Sequence, residues 1–192
     1  MRASIVLLLL CGCASGSSSS RTAGPTPGSA AAASISGAGG PAATAVIEPR
    51  SGSTLTGSAS FTAVDGGNLG AHVEVQNATP GQHGVHIHEK GDCSDPKAAS
   101  AGGHYNPNSG AHHGGPSTPV RHGGDLGNIT VGQDGKGTLD VVVGDLSLDS
   151  GANGIVGRSI VVHEKTDDLH SDPAGNSGGR FGCGVIQAPP VH

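Results

Sequence analysis

The chain has 192 residues and a net charge of −5 with histidine neutral, which argues against a nucleic-acid partner. It contains 35 glycines but only two phenylalanines, one tyrosine and no tryptophan. A core built from valine, isoleucine, leucine and alanine leaves little stability to spare, so we expect cross-links to support the fold.

The first residues, MRASIVLLLLCGC, predict an export signal. One arginine precedes a short apolar run, Ile5 to Leu10, which is far too short to span a bilayer. The end of this segment resembles a bacterial lipobox, which implies that residues 1–12 are removed and that Cys13 becomes the lipidated N-terminus. The alternatives are a plain secretory signal cut later and a leader with a wrongly assigned start. We expect an exported protein, anchored to a membrane and facing the periplasm or the cell exterior.

Residues 13–43 form a Gly/Ser/Ala/Pro tract with almost nothing to bury, so we predict a disordered tether. The folded domain then covers residues 44–192. Once the leader is removed, Cys93 and Cys183 are the two cysteines of this domain, and in an oxidising compartment such a pair indicates one disulfide. Two buried free thiols are the alternative.

Alternation of apolar and polar residues, interrupted by glycine-rich turns, predicts short strands throughout the domain and no long helix. Regularly spaced strands of this kind indicate an antiparallel sandwich or barrel. We predict eight strands near Ala45–Pro49, Thr56–Val64, Gly70–Asn77, Gly84–Glu89, Gly127–Val131, Gly137–Val143, Ser159–Glu164 and Cys183–Gln187.

Two long connections, Lys90 to Asp125 and Lys165 to Gly182, lack a strand pattern, and ordered loops of this length are usually functional. Histidines concentrate in the first loop and on the strand before it. His86 and His88 alternate with apolar residues, so both project from one face of that strand. For this stretch alone, a strand with two solvated histidines is the alternative to half of a metal site.

Histidine nitrogen is a borderline-soft ligand that suits zinc and copper. The segments GVHIHE, GGHYNP, HGGP, RHGGDLGN, VGRSIVVHEKTDDL and GNSGGRFGCGVI occur in this order. On these motifs the chain resembles the copper/zinc superoxide dismutases from about Ala45 to Ile186. The resemblance implies an all-β fold, an eight-stranded antiparallel Greek-key β-sandwich or barrel with two long functional loops.

The same resemblance implies one copper ion and one zinc ion per chain, bridged by His104. The implied copper ligands are His86, His88, His104 and His163. The implied zinc ligands are His104, His113, His122 and Asp125. The choice of His113 over its neighbour His112 rests only on the register of the HGGP motif.

Further roles follow from the resemblance. Asp167 matches an aspartate that bonds to one ligand of each metal, Arg180 matches an arginine that lines the copper channel, and the family has a disulfide at the positions of Cys93 and Cys183. His83 is expected to bond to the backbone near the copper strand, and the remaining histidines are expected to be solvated: His72, His112, His170 and His192.

The implied activity is dismutation of superoxide, in which copper oxidises one superoxide ion to dioxygen and then reduces a second to hydrogen peroxide. Arg180 and His104 are the expected catalytic residues. Two other functions stay open at this point: a non-catalytic copper- and zinc-binding lipoprotein on the same fold, and a dinuclear zinc hydrolase. A homodimer is a further expectation.

Overall fold

The computed structural model describes residues 43–108, 111–149 and 151–188. All eight predicted strands are present, and their bounds differ from the predicted ones by no more than three residues. They are β1 (Ala43–Pro49), β2 (Thr56–Val64), β3 (Asn68–Gln76), β4 (Gly81–His88), β5 (Asp125–Val131), β6 (Gly137–Val143), β7 (Ser159–His163) and β8 (Arg180–Val185).

The strands form one closed antiparallel barrel in the order β1-β2-β3-β6-β5-β4-β7-β8. The chain passes from β3 to β4 over two intervening positions, and from β6 back to β7 across β5 and β4. These two crossings are Greek-key connections. The predicted fold class is therefore confirmed, in its barrel form.

Period-2 alternation places one side of each strand inside the barrel. Strand β1 shows this directly, because Ala43, Ala45 and Ile47 are buried while the residues between them are exposed. Phe61 is the largest fully buried side chain, and the rest of the interior is mostly aliphatic. The described residues include two short 3-10 turns, Asp65–Gly67 and Ala99–Ala101, and no helix long and apolar enough to cross a membrane.

The predicted disulfide joins Cys93, in the loop after β4, to Cys183 in β8. Both cysteines lie in a small apolar cluster separate from the barrel interior, together with Ala98, Ala101 and Val161. The bridge spans a sequence separation of 90 residues. In the chain-entropy account, closing a loop of that length stabilises the folded state by about 4–5 kcal/mol.

The predicted leader, the lipidation site Cys13 and the tether up to Ala42 lie outside the described residues, as does His192. Of the other histidines expected to be solvated, His112 and His170 are exposed and His72 is partly exposed. His83 is buried, and its ring nitrogens lie 2.9 Å from the carbonyl oxygen of His163 and 2.8 Å from that of Thr79. This agrees with the structural role expected for it.

Candidate metal centre

Strand β4 supplies the first two histidines of the centre. It pairs with β5 on one side and β7 on the other, so both of its edges are covered. His86 and His88 are fully buried, and so are Val85 and Ile87 on the opposite face of the strand. The alternative of two solvated histidines is therefore wrong.

His104 and His163 complete a group of four imidazoles. His104, in the first long loop, forms an isolated antiparallel bridge with His88, and His163 is the last residue of β7. One ring nitrogen of each of the four residues lies within 4.8 Å of the corresponding nitrogen of every other one. Four imidazole nitrogens thus converge on a buried point between the barrel wall and the loop.

The other ring nitrogen of each imidazole faces an oxygen acceptor. His86 Nε2 lies 2.8 Å from Asp167 Oδ2, His88 Nδ1 lies 3.0 Å from the Gly102 carbonyl oxygen, and His104 Nδ1 lies 2.8 Å from Asp125 Oδ1. In contrast, His86 Nδ1 and His104 Nε2 are buried and have no hydrogen-bond partner among the described residues. His86 shows the pattern of a metal-binding histidine, with one nitrogen oriented by the protein and the other left for an ion, whereas His104 faces the carboxylate of a second group.

A second group surrounds the carboxylate of Asp125, at the start of β5. The Nδ1 atoms of His104, His113 and His122 lie 2.8, 3.1 and 3.5 Å from Asp125 Oδ1. Donor atoms about 2.0–2.1 Å from a tetrahedral zinc ion lie roughly 3.3 Å from one another. Three nitrogens and one carboxylate oxygen at these separations fit a closed zinc site.

The group around Asp125 whose ligand atoms all lie within 4.8 Å of one another contains His104, His113 and also His86, but not His122. The Nδ1 atom of His122 is nevertheless buried without a hydrogen-bond partner in the described part of the chain. His112 lies elsewhere, because its side chain is 79% exposed whereas that of His113 is fully buried. The structure thus directs His113, not His112, toward Asp125.

Asp167, in the second long loop, contacts a histidine of each group. Its Oδ2 lies 2.8 Å from His86 Nε2 and its Oδ1 lies 2.8 Å from His113 Nε2. The carboxylate is fully buried, and reciprocal hydrogen bonds between Asn128 and the Asp167 backbone hold it against β5. One carboxylate therefore orients imidazoles in both groups.

Burial and mutual proximity keep the first group of imidazoles neutral. Burial, reinforced by the neighbouring His104, lowers the pKa of His86 and of His88, and the same causes lower the pKa of His163 to about 3. Burial also lowers the pKa of His104, although the Asp125 carboxylate opposes this effect. Neutral imidazole is the form that binds a metal ion.

The electrostatics of the second group have the opposite sign. Burial lowers the pKa of His113, but hydrogen bonds to Asp125 and Asp167 outweigh it and raise the pKa to about 9. Burial acts to raise the pKa of Asp125, yet hydrogen bonds from His104 and His113 hold it well below its usual range. The Asp125 carboxylate therefore stays ionised and offers a negatively charged oxygen that suits a divalent cation.

Arg180 begins β8 and lies beside the first group. Its Nη1 donates to the carbonyl oxygen of Ala98 and its Nη2 to that of Gly102, both at 2.6 Å. The Gly102 carbonyl also faces His88 Nδ1, so the guanidinium and a histidine of the first group share one oxygen. Burial lowers the pKa of Arg180, which still leaves the group charged near neutral pH.

Sequence reasoning missed several residues that build the centre. Gly102 accepts hydrogen bonds through its backbone, Asn128 holds Asp167, and Asp172 contacts both His112 and His113. Gly175 has φ +60°, and a Cβ at this position would overlap Asp167 Oδ1. Gly175 is the first residue of the GNSGGR motif, so the sequence could have indicated it. The other contacts depend on how the two long loops pack against each other.

Comparisons with known proteins agree on one family. A family model described as copper/zinc superoxide dismutase matches residues 55–186. The chain is 43% identical over 144 residues to a Cu-Zn superoxide dismutase of Deinococcus radiodurans, covering 70% of this chain and 78% of the relative. It is 44% identical over 140 residues to an extracellular Cu-Zn superoxide dismutase of Drosophila melanogaster, covering 69% and 75%. The crystal structure of the clock protein EA4 superposes with a TM-score of 0.69 at 38% identity, covering 80% of this chain and 99% of that one.

Proposed function

Because the chain belongs to the copper/zinc superoxide dismutase family, an enzyme family that uses copper and zinc, we propose how its own residues carry out dismutation. Two superoxide ions and two protons yield one dioxygen and one hydrogen peroxide. The proposed copper ligands are His86, His88, His104 and His163. The proposed zinc ligands are His104, His113, His122 and Asp125.

The position of His104 carries the proposal. Its Nδ1 lies 2.8 Å from Asp125 Oδ1, while its Nε2 is buried without a partner among the described residues. Because the same ring also belongs to the group of four imidazoles, we infer that it presents one donor atom to each group. A chain that bound a single metal would have no need for a buried imidazole with both nitrogens directed at separate clusters.

The chemistry of the donors supports the choice of metal at each site. Four imidazole nitrogens favour Cu(II), which stands at the top of the affinity order for such ligands. Three nitrogens and one carboxylate oxygen suit a closed, tetrahedral structural zinc site. Copper, when bound, supplies the redox chemistry that moves an electron from one superoxide ion to another.

The protein residues supply binding, orientation and a proton. The Arg180 guanidinium attracts the anion and holds it beside the four imidazoles, since its planar fork of donors matches a small anion. His104 Nε2 would hold a proton for the developing peroxide only while that nitrogen is not bound to copper. Asp167 keeps His86 and His113 in their orientations through both carboxylate oxygens. The hydrogen bonds of Arg180 and Asp167 described above support these roles.

Metal analysis and kinetics of protein purified from the exported fraction test the proposal. We expect one copper and one zinc per chain, a Cu(II) electron paramagnetic resonance signal that disappears on reduction, and rapid dismutation. His104→Ala should change that signal and abolish most activity, whereas His72→Ala, on the barrel exterior, should change neither. Two zinc ions without copper would support a zinc hydrolase instead, and a loaded but inactive protein would support a metal-binding role.

The proposed location is the outside of a membrane, with the protein anchored through lipid on Cys13. The Cys93–Cys183 disulfide supports export, since such bonds persist in oxidising compartments. Cys13→Ala should move the protein from the membrane to the soluble fraction without loss of activity. Unchanged membrane partition, with no lipid mass on the mature N-terminus, would contradict the anchor.

We further propose a homodimer. In support, Val46 on β1 is 74% exposed and lies between two surface grooves, one of which also includes residues of β8. The mass of the protein in solution tests this, with Val46→Lys as the variant expected to lower it. A monomeric mass for the unaltered protein would contradict the dimer.

A further inference from the structure

His112 and His113 are adjacent histidines, and either one could in principle supply the imidazole that lies beside Asp125. They are adjacent in sequence, so a slip of one residue in the loop would exchange the imidazole that faces Asp125 for its neighbour. Glycines follow at positions 114 and 115, and they add little resistance to such a slip. Some other contact must fix the register of this segment.

Asp172, in the second long loop, contacts both histidines. Its Oδ1 accepts a hydrogen bond of 2.7 Å from the backbone N–H of His113, and its Oδ2 lies 2.5 Å from Nδ1 of His112. The His112 side chain is 79% exposed while that of His113 is fully buried. One carboxylate thus holds the outer imidazole outward and the backbone of the inner residue in place.

The carboxylate is itself fixed at both ends of its short segment. Asp168 Oδ1 accepts from the Ser171 backbone N–H at 2.8 Å, and the Gly175 N–H donates to the Ser171 carbonyl oxygen at 2.7 Å. On the other side, the Gly114 N–H donates to Asp125 Oδ2 at 3.0 Å. Two successive N–H groups, of residues 113 and 114, are therefore held by carboxylates from two different parts of the chain.

We infer that Asp172 is a positioning residue that selects His113, rather than His112, as the histidine of the Asp125 group. The inference rests on the proposed zinc site. Without the carboxylate, His112 loses its outward partner and the His113 backbone loses its acceptor, so the two imidazoles compete for one position. A competing arrangement weakens zinc binding and changes the ligand geometry.

The test measures zinc affinity by chelator competition and the visible spectrum of protein in which Co²⁺ replaces zinc, because that spectrum reports ligand geometry. Asp172→Ala should weaken zinc binding about tenfold and alter the cobalt spectrum, as is typical when a residue that orients a metal ligand is lost. Asp172→Asn should stay close to the unaltered protein, because an amide offers both an acceptor and a donor. Asp140→Ala is the matched control. Asp140 Oδ1 lies 2.7 Å from Nδ1 of the partly exposed His72, and this pair lies outside both long loops.

The double variant Asp172→Ala/His112→Ala decides between selection and simple bracing of the loop. If Asp172 selects the histidine, removing the competitor restores the cobalt spectrum and most of the zinc affinity. An alanine variant with unchanged affinity and spectrum, or a double variant without recovery, overturns the inference while leaving the zinc site standing. Absence of zinc and cobalt binding in the unaltered protein would overturn the proposed function itself. Should Asp172→Ala fail to fold, Asp172→Ser serves in its place, since its hydroxyl is too short to reach both partners.

Discussion

At the scale of single residues, Asp167 connects the two groups of metal-binding candidates. Its two carboxylate oxygens face His86 and His113, so removing them frees an imidazole in each group. Asp167→Ala should lower zinc affinity about 10- to 100-fold, the usual cost of losing a partner that orients metal ligands. Chelator competition measures this, and Asp140→Ala serves as control. Equal zinc affinity in the two variants would show that the imidazoles are oriented by their packing alone.

As a proposed zinc ligand, His113 should make the affinity for zinc depend on pH in a predictable direction. Its pKa of about 9 lies above the ordinary value of 6.5, so the metal-free protein carries a proton there at neutral pH. Zinc needs the free nitrogen and must displace that proton below pH 9. Zinc affinity should therefore rise about tenfold per pH unit from pH 7 and level off above pH 9. Calorimetry in buffers of different ionisation enthalpy counts the released protons, and a flat affinity between pH 7 and pH 9 would contradict the prediction.

At the scale of elements, the strands could be predicted and the loop contacts could not. Period-2 alternation is a local signal, so it located all eight strands. It failed at Gly81–His83 and Arg180–Gly182, which lack clear alternation but are fixed in register by pairing with β5 and β7. The contact of Asp172 with His113 joins residues 59 apart and leaves no local pattern. Candidate site residues came from the family motifs, whereas the residues that orient them required the structure.

The second long loop depends on Gly175 for more than backbone freedom. Gly175 has φ +60° and Gly178 has φ +76°, so alanine at either position pays a similar backbone cost of about 1–2 kcal/mol. Only at Gly175 would the new Cβ overlap Asp167 Oδ1 and approach His113 Nε2 to 2.6 Å; at Gly178 it meets the flexible Lys165 side chain at 3.1 Å.

Gly175→Ala should therefore lower both stability and zinc affinity, whereas Gly178→Ala should lower stability alone. Denaturant unfolding of the metal-free variants measures the first quantity and chelator competition the second. Similar zinc affinities in the two variants would mean that the loop can shift enough to preserve the Asp167–His113 hydrogen bond.

At the scale of the whole molecule, charge acts against the substrate. The net charge of −5 repels a superoxide ion that approaches at random. In and beside the second long loop, Lys165 and Arg180 are the cations. The acids there with exposed or partly exposed side chains are Glu164, Asp168 and Asp172. The carbonyl oxygens of Ala98 and Gly102 hold the cationic Arg180 beside the four imidazoles, so we expect Arg180 to offset this repulsion locally.

Replacing Arg180 should accordingly change the rate constant of dismutation without changing metal content. Arg180→Ile should lower the second-order rate about tenfold, and Arg180→Glu should lower it further, because a fixed cation beside the reaction centre both attracts and aligns the anion. Steering is screened over about 10 Å at 0.1 M salt, so the rate of the unaltered protein should fall as salt rises while the isoleucine variant responds less. Pulse radiolysis on fully metal-loaded protein across ionic strength measures both effects.

Arg180 also donates to the Gly102 carbonyl that faces His88, so the copper resonance spectrum of each variant must match that of the unaltered protein before the rates are compared. An isoleucine variant with an unchanged rate and the same salt dependence would remove Arg180 from the path of the anion.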